Sequence, residues 1–354
     1  MPEYAPFETL DIAVILPCYN EAPTIGDVVR GFGDALPSAR IYVFDNNSSD
    51  HTAIEARRAG ATVVQERRQG KGHVVRRMFS DIEADLYIMA DGDGTYSPED
   101  APQLVATLLS ERVDMVVGVR SGVREDAGRS GHAFGNRAFN RLYRYMFGTD
   151  FSDILSGYRV FTRRFVKSFP AISSGFEIET EMSVHASQMK LPVAEVALDY
   201  GRRPAGSSSK LSTVRDGVRI LFMFVRMMKE TQPLRFFSLI AGLLFAASVF
   251  FMIPPVLEYL TTGIVSRVPT WIGAVGLLLL ATLMMVTGLI LDSVAAGRVE
   301  QMRMAYLNQP ARRGEMRAGS RERTRRTDRP AATRKDAEDK ASRVKGRRVK
   351  AGGS

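Results

Sequence analysis

A single cysteine, Cys18, in 354 residues excludes an intrachain disulfide and fits a reducing compartment. It closes an apolar run, Ile12 to Leu16, where it is expected to pack rather than react. Histidine is also scarce. His51, His73, His132 and His185 show no metal-ligand spacing, so they are read as turn or helix residues. No GxSxG elbow is present, which leaves a Ser-His-Asp hydrolase unsupported. The turn Gly70-Lys71-Gly72 is preceded by no glycine at Walker spacing and followed by no Ser or Thr after Lys71, while Val75 stands where a dinucleotide fingerprint needs its third glycine. ATP-loop and NAD readings therefore both weaken. Met1 to Asp11 has neither a basic start nor an apolar core segment, which predicts no cleaved signal peptide and a front domain on the cytoplasmic side.

Charge is missing altogether from two long stretches late in the chain, Phe236 to Leu257 and Val268 to Leu291. Each exceeds the roughly 20 residues that cross a hydrocarbon core. The connector between them holds one basic residue, Arg267, whereas Lys229, Arg235, Arg298 and Arg303 flank the outer ends, which predicts a hairpin with both termini cytoplasmic. Pro254-Pro255 is expected to unwind the first span near its far end. The net charge of +9 is a property of the tail, since Arg298 to Ser354 carries 18 Lys and Arg against 7 Asp and Glu. Apolar periodicity disappears beyond Asn308, so the tail is predicted to be disordered and suited to anionic lipid. Nucleic acid is not an expected partner.

Ahead of the hairpin, short β-branched runs alternate with helical patterns: Ile12 to Leu16, Ile41 to Phe44, Thr62 to Val64, Leu86 to Ala90 and Met115 to Val119. This rhythm predicts an α/β domain with a mostly parallel sheet, whose ligands bind at the carboxyl ends of the strands. Polar residues gather there, as Pro17-Cys18-Tyr19-Asn20-Glu21, Asp45 to Asp50, and Asp91-Gly92-Asp93-Gly94. Two carboxylates separated by a glycine after a buried strand can share one hard cation, and Mg²⁺ or Mn²⁺ bridging a diphosphate is the natural occupant. Lys71, before a helical run, can meet phosphate oxygens. Amphipathic patterns at Phe134 to Phe147 and Leu211 to Lys229 fit either interfacial helices or core-facing ones.

Taken in order with Asp153-Ile-Leu-Ser-Gly-Tyr-Arg159, these motifs resemble family 2 glycosyltransferases of GT-A fold, and within them polyprenyl-phosphate glycosyltransferases with two membrane helices near the C-terminus. The resemblance spans about residues 11 to 292. It implies an inverting, metal-dependent transfer of a hexose from a UDP- or GDP-sugar to polyprenyl phosphate at the cytoplasmic face of the inner or plasma membrane. Pro17, Tyr19, Glu21, Asp45, Lys71 and Asp91 would bind the nucleotide sugar, and Asp91 with Asp93 the metal. Asp93, Asp153 and Arg159 would be catalytic, with Ser156 and Gly157 on the acceptor side. Arg120, Arg129, Arg202 and Arg203 would hold the lipid phosphate, while Glu179 and Glu181 match a family motif without a clear role.

The expected layout is a GT-A domain over 1–210, an interfacial helix over 211–235, spans over 236–257 and 270–291 joined by a loop at 258–269, and a disordered basic tail over 298–354. Self-association is left open. Two rivals remain: a membrane-anchored recruiting protein with an inactive domain, and a processive polysaccharide synthase of the same fold. The second would carry a Gln-x-x-Arg-Trp motif, but the only tryptophan, Trp271, lies inside a span.

Overall fold

The computed structural model describes residues 10–121, 151–175, 177–199 and 225–310. The chain divides into two units, Met1–Gln309 and Pro310–Ser354, and only Pro310 of the second is described. The first unit contains a seven-stranded sheet of order β3-β2-β1-β4-β6-β5-β7. Its strands are β1 Ile12–Cys18, β2 Arg40–Asp45, β3 Thr62–Gln65, β4 Leu86–Met89, β5 Met115–Ser121, β6 Arg159–Thr162 and β7 Val193–Asp199. All five expected runs are strands. Two more, β6 and β7, gave too short or too mixed a pattern to be read from sequence. β6 lies antiparallel between β4 and β5, and the other pairings are parallel.

β1 is buried along its whole length because helices cover both faces of the sheet, which explains its unbroken apolar run. Pro17 sits within β1 beyond its last pair with β4, Ile15 with Met89, so its missing N–H costs that ladder nothing. Among the described residues the domain's helices are α1 Ala22–Ala35, α2 Thr52–Arg58, α3 Lys71–Asp81, α4 Ala101–Ser110, α5 Arg163–Ser168 and α6 Ile178–Met189. One core lies under α1 and α4, with Ile25, Phe32, Leu104 and Val105 against β1 and β4. The other lies under α3, α5 and α6, with Val75, Met78, Phe165 and Met182.

His185 belongs to this second core. Its Nε2 lies 3.1 Å from Ser168 Oγ, and its ring meets Phe165 and Phe169 edge-on. Burial pushes its pKa down from 6.5 to about 4. The unfolded chain therefore takes up a proton at a higher pH than the folded one, and stability that is complete above pH 6.5 drains away as pH falls toward 4. His185→Gln should remove up to about 3 kcal/mol of that acid-side slope, read as the difference between parent and variant melting curves over this window.

Beyond the domain, α7 runs Pro233–Thr262 and α8 runs Val268–Leu307. Both are long and apolar enough to cross a membrane, and among the described residues their apolar faces are largely exposed. They pack antiparallel along small residues seven apart, Ala241, Ser248 and Pro255 on α7 and Ala274, Ala281 and Gly288 on α8. Ser248 Oγ donates to the Ala274 carbonyl at 2.7 Å, and a Cβ on Gly288 would meet Phe237 Cβ at 3.0 Å. Such a seam lets backbones approach where lipid offers no hydrophobic drive to pair.

The helix ends differ from the expected layout at three places. α7 continues through Pro254-Pro255 to Thr262, although interior prolines remove two donors and crowd the carbonyls one turn back. The connector is accordingly shorter than 258–269, with Gly263 at φ 74° ending the helix. The proposed tail boundary at Arg298 falls inside α8, whose Val299, Met302 and Tyr306 pack against the second core at helical spacing. At 40 residues α8 is about 60 Å long, roughly twice a hydrocarbon core.

That extension docks on the domain. Tyr306 Oη donates to Asp114 Oδ2 at 2.8 Å, and Arg303 donates to the Met189 carbonyl at the end of α6. Asp114 is buried just before β5 and also accepts from Thr162 Oγ1 at 2.8 Å. Helical residues 225–231 approach the opposite end of α6: Arg226 pairs with Glu230 at 2.9 Å, and this bond first, then the charges of Glu230, Glu177 and Glu181, raises its pKa. Lys229 and Glu230 share a cleft with Val294 and Arg298 of α8. α8 thus runs from the hairpin to the carboxyl end of α6 and the starts of the strands.

Candidate active site

The carboxyl ends of β1, β2 and β4 meet the amino ends of α3 and α6 and the 153–158 loop. The turns after β1 and β2 are laced together. Asn20 and Asn47 adopt left-handed φ of 54° and 62°, a conformation asparagine tolerates. Asn20 N–H donates to Ser48 Oγ at 3.0 Å, and Asn20 Oδ1 accepts from Ser49 N–H at 2.8 Å. Asp50 accepts from the N–H groups of Ala22 and Thr52, which fixes the start of α1. Asp45 is buried and accepts from Ser48 N–H at 3.3 Å. Asn46 accepts from Gly70 N–H at 2.8 Å and donates to the Arg68 carbonyl, tying β2 to the turn before α3.

Asp91 is gripped from two sides. Lys71, the first residue of α3, gives its ammonium to Asp91 Oδ1 and to Glu179 Oε1, the latter at 2.5 Å. On the other side, a Cβ on Gly157 would stand 2.7 Å from Asp91 Oδ2. Burial alone would lower the Lys71 pKa, but the charges of Asp91 and Glu179 outweigh it and hold the ammonium well above its ordinary range. Asp93 accepts through Oδ1 from Thr95 N–H at 3.1 Å and from Thr95 Oγ1 at 2.6 Å. Thr24 Oγ1 donates to the Gly92 carbonyl at 2.8 Å, so the turn between the two aspartates is fixed by α1.

Glu21 completes an acidic group. Burial first, then the charges of Asp91 and Asp93, pushes its pKa from 4.5 up to about 8. Its Oε2 is buried without a hydrogen-bond partner and would lie 2.5 Å from a Cβ on Gly92. A buried, unsatisfied carboxylate oxygen beside two more carboxylates fits a cation, which would relieve all three. Among the described residues no cluster of three or more His, Cys, Asp and Glu side chains forms a metal cage. A hard cation held by a carboxylate pair and completed by substrate phosphates has that composition.

Arg159 lies behind the cleft loop. It is fully buried on β6, where its guanidinium donates to the Ser156 and Ile154 carbonyls at 2.9 and 2.8 Å and to Ser183 Oγ at 3.0 Å. It holds the 153–158 loop in shape. Asp153 is also buried, and its Oδ1 accepts from Leu155 N–H at 3.2 Å. Gly157 N–H donates to Tyr96 Oη at 3.0 Å, and Ser156 Oγ donates to the Gly118 carbonyl at 2.5 Å. Tyr19 is half-buried in the turn after β1. The side chain of Arg120 and all of Arg129, Arg202 and Arg203 lie outside the described residues, as does the expected Phe134 to Phe147 helix.

Sequence reasoning gave Glu179 and Glu181 no role. Glu179 holds Lys71, and Glu181 accepts from the N–H groups of Ile172 and Ser173, both at 2.8 Å. The loop it fixes lies against α3, where a Cβ on Gly72 would fall 2.1 Å from the Ser173 carbonyl oxygen. The signal for both was the acidic cluster at the amino end of a helix.

Comparison with known proteins places these loops in context. The family model described as glycosyl transferase family 2 matches residues 13–169, which take in Pro17 to Glu21, Asp45, Lys71, Asp91, Asp93 and Arg159. Glycosyltransferase AglJ of Haloferax volcanii is 35% identical over 294 residues, 82% of this chain and 96% of that protein. A dolichyl-phosphate hexose transferase of the same organism is 26% identical over 210 residues, 59% of this chain and 90% of that protein. Glucosyl-3-phosphoglycerate synthase from Mycobacterium tuberculosis, solved with Mn²⁺, UDP and phosphoglyceric acid, superposes with a TM-score of 0.52 at 22% identity, over 62% of this chain and 78% of that one, and shares the fold. The GT-A-like sheet, the paired aspartates at a strand end, and identity to AglJ along nearly all of that relative together show that this chain belongs to glycosyl transferase family 2.

Proposed function

We propose that this glycosyltransferase moves a hexose from a UDP- or GDP-sugar to polyprenyl phosphate at the cytoplasmic face of the inner or plasma membrane, with inversion and with Mg²⁺ or Mn²⁺. The observation that carries the reading is the path of α8. Before it reaches Asp114 at the strand starts, α8 shares a cleft through Val294 and Arg298 with Lys229 and Glu230, whose helical neighbour Arg226 feels the charges of Glu177 and Glu181 at the amino end of α6, where Glu179 meets Lys71 and Asp91. That path supports a strand-end cleft turned toward the bilayer, where a lipid-borne acceptor would be within reach. The name of the Haloferax volcanii dolichyl-phosphate hexose transferase supports the same acceptor class.

In this reading Asp91 and Asp93 hold the metal, with Glu21 beside them, and Asp45, Pro17 and Tyr19 border the nucleoside. A bound divalent cation would absorb the charge that develops on the diphosphate leaving group. A lipid phosphate with a second pKa near ~6 is largely dianionic at neutral pH, so it attacks the anomeric carbon without a strong general base. Asp153 accordingly orients the acceptor side of the cleft rather than removing a proton, and Arg120, Arg129, Arg202 and Arg203 supply the fixed cations that a desolvated phosphate requires. The test offers a panel of UDP- and GDP-hexoses with polyprenyl phosphate to the purified protein in detergent. One nucleotide sugar should yield a glycolipid heavier than polyprenyl phosphate by one hexosyl residue, with release of the nucleoside diphosphate, dependent on divalent metal. Transfer only to soluble acceptors would reject the lipid reading.

A further inference from the structure

Lys71 spends its charge inside the protein. Its ammonium touches Asp91 and Glu179, and its side chain is 10% exposed. Glu179, at 5%, reaches the same point from α6, a helix outside the strand-end turns that carry the rest of the site. We propose that Glu179 is a positioning residue for the donor end of the site: it neutralises Lys71, so that the ammonium can fix Asp91 without cancelling the negative charge that Asp91 and Asp93 offer a divalent cation. This rests on the metal-dependent reading above.

An ammonium on one oxygen of Asp91 and a divalent cation on the same carboxylate repel each other strongly in a site of low dielectric. Lys71 alone would lower the affinity of the acidic pair for metal. Paired with Glu179 it is nearly neutral, and Asp91 and Asp93 keep their net negative charge for the cation. The orienting bond from Lys71 to Asp91 is retained at the same time. Gly157 closes the opposite face of that carboxylate, so its geometry is defined from both sides.

The experiment titrates Mn²⁺ by electron paramagnetic resonance into the full-length protein in detergent, with and without UDP. Glu179→Gln keeps the shape and a hydrogen bond to Lys71 but removes the charge, and should weaken Mn²⁺ binding by about tenfold or more. Glu179→Asp should recover part of the affinity. In the double variant Lys71→Met with Glu179→Gln both charges are gone, so affinity should rise above that of Glu179→Gln alone. A role confined to packing would lower the melting temperature of Glu179→Gln and leave its Mn²⁺ affinity at the parent value, which would overturn the proposal. A double variant no better than Glu179→Gln would overturn it too. Parent protein that binds no Mn²⁺ would instead sink the metal-dependent reading on which the proposal stands.

Discussion

Asp93→Asn is expected to lose on the order of a hundredfold or more in kcat while folding normally. The two effects separate because the carboxylate has two tasks. Its Oδ1 accepts from the N–H and hydroxyl of Thr95 at 3.1 and 2.6 Å, a local turn contact that an amide oxygen can also make. Its charge is what an amide cannot supply. That charge acts on a buried neighbourhood in which Glu21 already has a pKa of about 8, partly because of Asp91 and Asp93. Removing one carboxylate therefore weakens the field on a cation and on the diphosphate it accompanies. Steady-state kinetics over a metal titration checks the first effect, and a melting temperature within a few degrees of parent checks the second. Parent-like turnover, or full activity of the parent in chelator, would remove Asp93 from the metal site.

The domain was legible in the sequence wherever the pattern was long and one-sided. β1, β2 and β4 are continuous apolar runs because both faces of a parallel sheet are covered, and the polar residues at their ends stood out against them. β6 escaped notice because four residues, Arg159–Thr162, carry no usable period and begin with a charge. That arginine also has partners that no local pattern shows. A sequence shows an arginine in a motif, but only the fold shows that its guanidinium is consumed by the Ile154 and Ser156 carbonyls behind the loop. Glu179 was the reverse case. It stood in a recognisable acidic cluster, yet its partner Lys71 lies more than a hundred residues earlier, and no local pattern joins the two. Contacts between elements remote in sequence, such as Tyr306 with Asp114, are likewise set by how layers stack and leave no periodic trace.

Gly157→Ala should cripple the same site through a single methyl group. A Cβ at this position would lie 2.7 Å from Asp91 Oδ2 and 3.1 Å from its Cγ, so one side must move. The loop resists: Gly157 N–H is bound to Tyr96 Oη at 3.0 Å, Ser156 Oγ to the Gly118 carbonyl at 2.5 Å, and Arg159 grips the Ser156 carbonyl from below. Asp91 resists less, since it turns from a single ammonium at Lys71. The carboxylate is therefore the group displaced, and a shift near ~1 Å at a reacting centre costs about a hundredfold in rate. Overpacking should add about 1–3 kcal/mol of destabilisation. Gly33→Ala on α1 is the control, because the nearest atom to its Cβ is Ile41 Cδ1 at 3.9 Å, and the change should stabilise the chain slightly, by about 0.4–1 kcal/mol, without touching kinetics. The pair is read by kcat/KM for nucleotide sugar, by Mn²⁺ affinity and by melting temperature. Gly157→Ala should lose the first two far beyond what its stability loss explains, and a variant with parent kinetics would show that Asp91 does not depend on the space this glycine leaves.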